Sequence, residues 1–451
     1  MDLSPPPATQ TDLRTQTRRK ETKDIQCIIM ENIHLQSLSK KALCDALLKC
    51  VEGCTDPENQ KPLDLLILTS LQDIHGKKKV VENILKSKIR NGLLTEALFA
   101  QTVVDYTSVI KKYFSNLVSI CDTLLRSQES IISNFAIAMY RETFVSFVSG
   151  DAYYQQEIVG DLISKVGTGG GGIITDGALR ALENLAERHS RELVAFTPMI
   201  TAMMDFTENM NLGQFRQLMH ILCTLAWQAE AGESGSSLQN EVNIMMRKQL
   251  CSRSPIIKKM GVIGAVNAVR AMGRSLPTEV VPSSHSSQDS ANSLSGRSAA
   301  IMKLIDLTIA ETRSFPEAAG LFMDELASPA TIAEMPAEIA AQCSTRFQNR
   351  FEEEFVEDYD KNKSERSDMS LPIKLGYKIE DDDVVEDEEE AGDIAVPISR
   401  WVMETRKNPM EARTEMFRFI PHFRLLGAIK TIHADESEID ALLGMYTSLS
   451  G

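Results

Sequence analysis

The stretch LGQFRQLMHILCTLAW, residues 212–227, decides how the rest of the chain is read. Leu212, Phe215, Leu218, Met219, Leu222 and Leu225 recur at i, i+3, i+4 spacing, which gathers them on one face of a helix. His220 falls on the opposite face and is expected at the surface. The same rhythm extends outward in both directions. From about residue 24 to 274 amphipathic stretches follow one another with short breaks. Ser254 and Pro255 supply an N-cap and a first helical residue for a helix that ends near Gly273. Gly261 and Gly264 weaken that helix, so they are expected where another helix comes close. There is no βαβ rhythm, no strong strand alternation and no consensus repeat. The predicted fold is all-α: an irregular α-solenoid of stacked antiparallel helical pairs with disordered polar loops.

Composition divides the 451 residues further. Residues 1–23, with Pro5, Pro6 and Pro7, read as a disordered N-terminal tail. Residues 24–274 form the solenoid, 275–298 a Ser-rich flexible loop, and 299–360 a helical continuation. Residues 361–394 read as an acidic disordered linker, and 395–451 as a helical C-terminal segment. The formal net charge is −15, but EDDDVVEDEEE at 380–390 alone holds nine acids, so the global sign says little about partners.

Eight cysteines sit mostly at apolar helical positions and none forms a CxxC pair, which suits a reducing compartment. Cys50 and Cys54 lie four apart, but no partner pair at zinc-ligand spacing accompanies them. The N-terminus lacks a signal-peptide core and no apolar run reaches the length of a membrane span, so the expectation is an intracellular, soluble protein. Arg18, Arg19 and Lys20 form a short basic group of the kind found in nuclear-import signals.

Catalytic motifs are not evident. GTGGGG at 167–172 has no following Lys-Ser/Thr and no preceding strand, so it reads as a helix–helix loop and not a phosphate loop. EEEFVEDYD at 352–360 reads as a solvated helix end. No nucleophile elbow, H-E-x-x-H or Cys/His dyad occurs. The chain is therefore expected to be no enzyme and to need no cofactor or metal.

Charge is more informative. HGKKKVVENILKSKIRNG, residues 75–92, projects as a basic amphipathic helix. Val80, Val81, Ile84, Leu85 and Ile89 share one face, while Lys79, Glu82, Asn83, Lys86 and Arg90 share the other. Lys88 breaks the pattern by lying near the centre of the apolar stripe. A cation there is unfavourable unless its stem packs and its ammonium reaches water or a partner. Two readings stay open: a snorkelling lysine, or one kept for its amine. Lys77, Lys78, Lys79, Lys86 and Arg90 form a basic strip, and Arg247, Lys248, Arg253, Lys258 and Lys259 form a second. Either is a solvated helix face or a strip that follows a phosphate backbone. Without interleaved aromatics, any DNA contact would be backbone-directed and insensitive to sequence. Thr9-Gln10, Thr15-Gln16 and Ser287-Gln288 match the dipeptide used by damage-response kinases, which makes Ser287 a candidate phosphorylation site.

An ordered set of segments resembles the Fanconi anaemia group D2 family. KKKVVENILKSKIRNG (77–92) is similar to its ubiquitin-acceptor helix. QESIISNFAIAMYR (128–141), YYQQEIVGDLISKVG (153–167), MRKQLCS (246–252) and KKMGVIGAV (258–266) are similar to its solenoid segments. FRLLGAIK (423–430) and EIDALLG (438–444) are similar to the region that follows. The resemblance runs from about residue 25 to 445 and covers a middle portion of a longer family. It implies a nuclear, chromatin-bound scaffold of interstrand crosslink repair, with Lys88 as the monoubiquitinated lysine. The implied partners are the Fanconi group I protein, the Fanconi core-complex ubiquitin ligase with its conjugating enzyme, ubiquitin and double-stranded DNA, with no membrane. With Lys88 as the acceptor, the flanking Lys86 and Arg90 are candidate contacts for DNA or the ligase's conjugating enzyme, and the charge of the same strip makes Lys77, Lys78 and Lys79 candidates too. On this reading the apolar stripe is an interface with the group I paralogue that hides the amine. The alternatives are a generic α-solenoid adaptor without DNA activity, or the group I paralogue itself.

Overall fold

A computed structural model describes residues 10–148, 152–168, 172–228, 232–274, 288–355, 357–358, 394–395 and 409–430. The described residues are almost wholly helical. The exception is a two-residue antiparallel pairing of Glu357–Asp358 with Ile394–Ala395. The chain divides into two units, Met1–Leu238 and Gln239–Gly451. The boundary thus falls inside the helix Gly232–Leu250 and not at the Ser-rich stretch.

In the first unit the principal helices follow one another through short connections that reverse the chain. Phe114–Leu125 packs on Ser130–Ser146, Ala152–Gly167 on Gly172–Arg188, and Gly172–Arg188 on Leu212–Ala226. The glycine run expected as a helix–helix loop lies between Gly167 and Gly172, with 169–171 outside the described residues. Leu212–Ala226 starts where its pattern starts, because Asn211 and Gln214 cap each other: Gln214 N donates to Asn211 Oδ1 (2.9 Å) and Asn211 N to Gln214 Oε1 (3.1 Å). This helix is buried on more than its apolar stripe: His220 is only 6% exposed, which corrects its expected surface placement. A stripe calculation sees one neighbour, whereas this helix has several around it.

In the second unit Pro255–Arg274 is buried along nearly its whole length, from Met260 to Gly273. It packs on Gln288–Thr312, Pro316–Leu326 and Pro329–Glu334. A Cβ on Gly261 would stand 2.6 Å from Leu250 N, so the predicted close approach occurs there, against the end of the preceding helix. Gly264 is buried in the same helix. Pro409–Lys430 closes the unit against Pro316–Leu326 and Ala337–Phe355. On it, His422 is buried among Phe347, Phe351 and Phe355, and its Nε2–H donates to Phe347 O (2.9 Å). Burial drives its imidazole pKa down from 6.5 to about 4, against the pull of that hydrogen bond.

Four expected boundaries move. The first helix is Gln10–Ser39 and takes in residues 10–23 of the expected tail. Those residues contain no Gly or Pro and many straight-chain side chains with good helix propensity, so polarity alone does not end the helix. A second helix begins at Gln288, inside the expected loop, because once its turns around Ile301 and Ile305 are packed, each added residue brings a backbone hydrogen bond. The continuation expected to residue 360 stops as a helix at Phe355, where a run of acids meets the negative end of the helix dipole. Ile394, the last residue of the expected linker, is paired in the small ribbon. Residues 275–287, with Ser287, and 361–393 and 431–451 lie outside the described residues.

Candidate functional site

The anomalous lysine sits at the end of the helix Lys78–Arg90. The end is set by Asn91-Gly92: Gly92 has φ +67°, a left-handed conformation that only glycine adopts without strain. Gly92 N then donates to Ile89 O (3.1 Å) and Leu93 N to Lys88 O (2.9 Å), closing a Schellman turn. The last turn, which carries Lys88, is therefore fixed by main-chain bonds.

Val81, Ile84, Leu85 and Ile89 are buried, while Val80 is exposed, so the stripe is rotated by part of a turn from the predicted one. It packs within its own unit, on Pro62–Leu71, Phe114–Leu125 and Ser130–Ser146. This corrects the expectation that the stripe is an interface with another chain: its apolar residues form part of the core. Lys88 is buried with it, 3% exposed. Its ammonium does not snorkel. Nζ donates to Cys54 O (2.9 Å) and Gln60 Oε1 (2.8 Å). Both acceptors are neutral, and among the described residues no carboxylate lies within ion-pair distance of it.

Those acceptors come from the connection between Lys41–Gly53 and Pro62–Leu71. The connection is braced locally. Asp56 Oδ1 accepts from Glu58 N (3.1 Å) and Oδ2 from Asn59 Nδ2 (2.7 Å), which starts the one-turn helix Pro57–Asn59. Gln60 Nε2 donates to Cys54 O (2.8 Å) and Asp56 O (3.2 Å) and lies 3.2 Å from Cys54 Sγ. With its amide nitrogen engaged by carbonyls, Gln60 must turn its oxygen toward Lys88. The Asp-Pro turn was readable in the sequence. Its placement over Lys88 was not.

The flanking strip is partly neutralised. Lys77 pairs with Asp45, and that hydrogen bond raises the Lys77 pKa and lowers that of Asp45. Arg90 makes a two-pronged pair with Glu129, at 2.6 Å on both prongs, holding the carboxyl below its usual range. Lys78 reaches Ser119 Oγ at 3.3 Å. Lys78 and Lys79 are exposed and Lys86 is half-buried. These three are the cations of the strip not paired with a described carboxylate.

The second strip is broken. Arg247, Lys248 and Arg253 are exposed, but Lys259 pairs with Glu317 (2.5 Å) and Lys258 points inward at 3% exposure. Lys258 Nζ donates to Leu250 O and to Glu311 O (2.8 Å), with Glu311 Oε2 at 3.8 Å and the Phe315 ring centroid at 4.7 Å. It is a structural lysine and does not belong to a phosphate-facing strip.

Among the described residues, Glu183, Glu187 and His220 bring metal-ligating atoms within 4.8 Å of one another. Here they satisfy protein neighbours: His220 Nε2 meets Glu187 Oε1 at 3.1 Å, and Gln217 Nε2 meets Glu183 Oε2 at 3.4 Å. This arrangement explains how the buried His220 is accommodated between two helices.

Known proteins place this architecture. A family model described as "Fanconi anaemia protein FancD2 nuclease" matches residues 9–450. The Fanconi anemia group D2 protein of Gallus gallus is 28% identical over 418 residues, covering 90% of this chain and 28% of that protein. The homologue from Mus musculus is 30% identical over 321 residues, covering 70% of this chain and 21% of its own length. That from Drosophila melanogaster is 26% identical over 268 residues, covering 59% and 18%. The chain thus spans less than a third of the length of these relatives. The match runs through the helix Lys78–Arg90 and both helical units, and on that ground the chain belongs to the Fanconi anaemia FancD2 family.

Proposed function

We propose that this chain is a non-enzymatic scaffold of DNA interstrand crosslink repair, switched by attachment of one ubiquitin to Lys88 and acting in the nucleus with the Fanconi group I paralogue on double-stranded DNA. The Fanconi core-complex ligase and its conjugating enzyme supply the ubiquitin. One observation carries the reading: among the described residues, Lys88 is a buried lysine whose ammonium meets two neutral oxygens and no carboxylate, so no ion pair gives its charge a structural task there. Conjugation needs the amine deprotonated and exposed. Nζ attacks the carbonyl carbon of the ubiquitin thioester, the C–S bond breaks, the enzyme's cysteine leaves as thiolate and the nitrogen sheds a proton.

Mass spectrometry of the protein after crosslinker treatment tests this. The expected result is a ubiquitin remnant on Lys88 that disappears in Lys88→Arg with the fold retained. Ubiquitin confined to other lysines would overturn the assignment.

The pairing of Lys77 with Asp45 and Arg90 with Glu129 favours a second reading, an adaptor that binds proteins and not DNA. Titration with duplex DNA at low and moderate salt separates them. A DNA-binding scaffold shows affinity that falls steeply with salt, and Lys78→Glu, Lys79→Glu and Lys86→Glu together weaken it and flatten the slope. An adaptor shows neither effect.

A further inference from the structure

Gln60 stands out within its segment. From residue 52 to 61 every residue is exposed or half-exposed except Gln60, which is 8% exposed. The Cys54–Gln60 connection is therefore seated on the body of the unit through one buried side chain. That side chain is also the one that bonds Lys88. Its nitrogen holds the connection in shape through Cys54 O and Asp56 O, while its oxygen holds the ammonium. Cys54 O receives both Gln60 Nε2 and Lys88 Nζ, so the three groups close a small ring of hydrogen bonds over the amine.

We infer that Gln60 is a positioning residue that withholds the Lys88 amine, so that conjugation at Lys88 requires the Cys54–Gln60 connection to lift first. Several features make this connection the part that moves. The Lys88 backbone is fixed by the Schellman turn, and its stem lies among core residues. The connection, by contrast, has one turn of regular structure, and its outer residues face water. Short, exposed segments with few buried contacts open at lower free energy than packed helices. Lifting it removes both acceptors of Nζ together and presents the last turn of the helix from the side that the connection now covers. A partner that grips residues 55–59 would release the amine without unfolding the helix that carries it.

The inference rests on reading Lys88 as the acceptor, but amine release is measurable without ubiquitin. The experiment treats the whole chain with N-hydroxysuccinimidyl acetate and follows acetylation of each lysine by peptide mass spectrometry over time. Exposed Lys79 is the reference, and Lys165, buried and paired with Asp161 in the same unit, is the control for loosening of the fold. Gln60→Met keeps the length and apolar bulk of the side chain and removes both its acceptor and its donor. Relative to Lys79, the variant is expected to acetylate Lys88 about tenfold faster, as for loss of a hydrogen bond to a charged group, with Lys165 unchanged. Ubiquitin conjugation to Lys88 by ligase and conjugating enzyme is expected to rise with it. Equal Lys88 acetylation in variant and wild type would overturn the inference, and so would Lys88 and Lys165 rising together. Faster acetylation of Lys88 with no ubiquitin there in either protein would support the withholding role and overturn the acceptor assignment.

Discussion

Lys88 and Lys258 are each 3% exposed, one in each unit, and their surroundings differ in kind. Lys258 lies where two helices end. Its ammonium donates to the carbonyls of Leu250 and Glu311, in the last turns of Gly232–Leu250 and Gln288–Thr312, and lies near a carboxylate and an aromatic face. Each of these attracts a cation, and the negative ends of two helix dipoles lie beside them. Lys88 has one main-chain carbonyl and one amide oxygen, both from a short exposed connection. A buried charge is thus a structural rivet when packed helices supply its partners, and a releasable group when a loop does. Burial alone does not separate the two cases.

Substitution separates the two lysines. Lys258→Met keeps the buried stem, strands two carbonyls at helix ends and is expected to destabilise the second unit by about 4 kcal/mol. Lys88→Met keeps the buried stem, leaves Cys54 O bonded to Gln60 Nε2 and strands only Gln60 Oε1, so a loss of about 1 kcal/mol is expected. Urea unfolding followed by hydrogen exchange, which reports each unit by its own amides, measures both. Equal losses would remove the distinction.

Acid sharpens it next. His422 has its pKa depressed from 6.5 to about 4 in the folded state, so the unfolded chain binds a proton there first as pH falls. Stability from this group is complete above pH about 6.5 and is lost down to about 4, a change of about 3 kcal/mol confined to the second unit. Amide exchange between pH 7 and 4 should show that unit weakening, and His422→Gln should flatten its profile over this range. The smallest effect concerns the turn beneath Lys88. Gly92→Ala forces a left-handed alanine and is expected to cost about 1 kcal/mol in the first unit, read as faster exchange at Leu93 and its neighbours.

Much of the fold was legible because helices are local. The 3.6-residue period at 212–227 and the Ser254-Pro255 start each rest on neighbours within a few residues, and the helices lie where those signals place them. Two of the boundaries that moved lie in polar stretches, at 10–23 and 288–298, where propensity and propagation carry a helix past its apolar stripe. The basic strips were legible as composition only: no spacing rule announces that Asp45 lies beside Lys77, Glu129 beside Arg90, or that Lys258 turns inward.

By itself the sequence determined that this chain is helical and that Lys88 is out of place in an apolar stripe, since both follow from a periodicity of a few residues. Tertiary structure alone decided what that lysine meets. The oxygens that meet Lys88 come from 34 and 28 residues away, and one of the carbonyls that meets Lys258 from 53. Contacts at such separations exist only after packing has closed the intervening chain, and only there does one buried lysine become a rivet and the other a withheld amine.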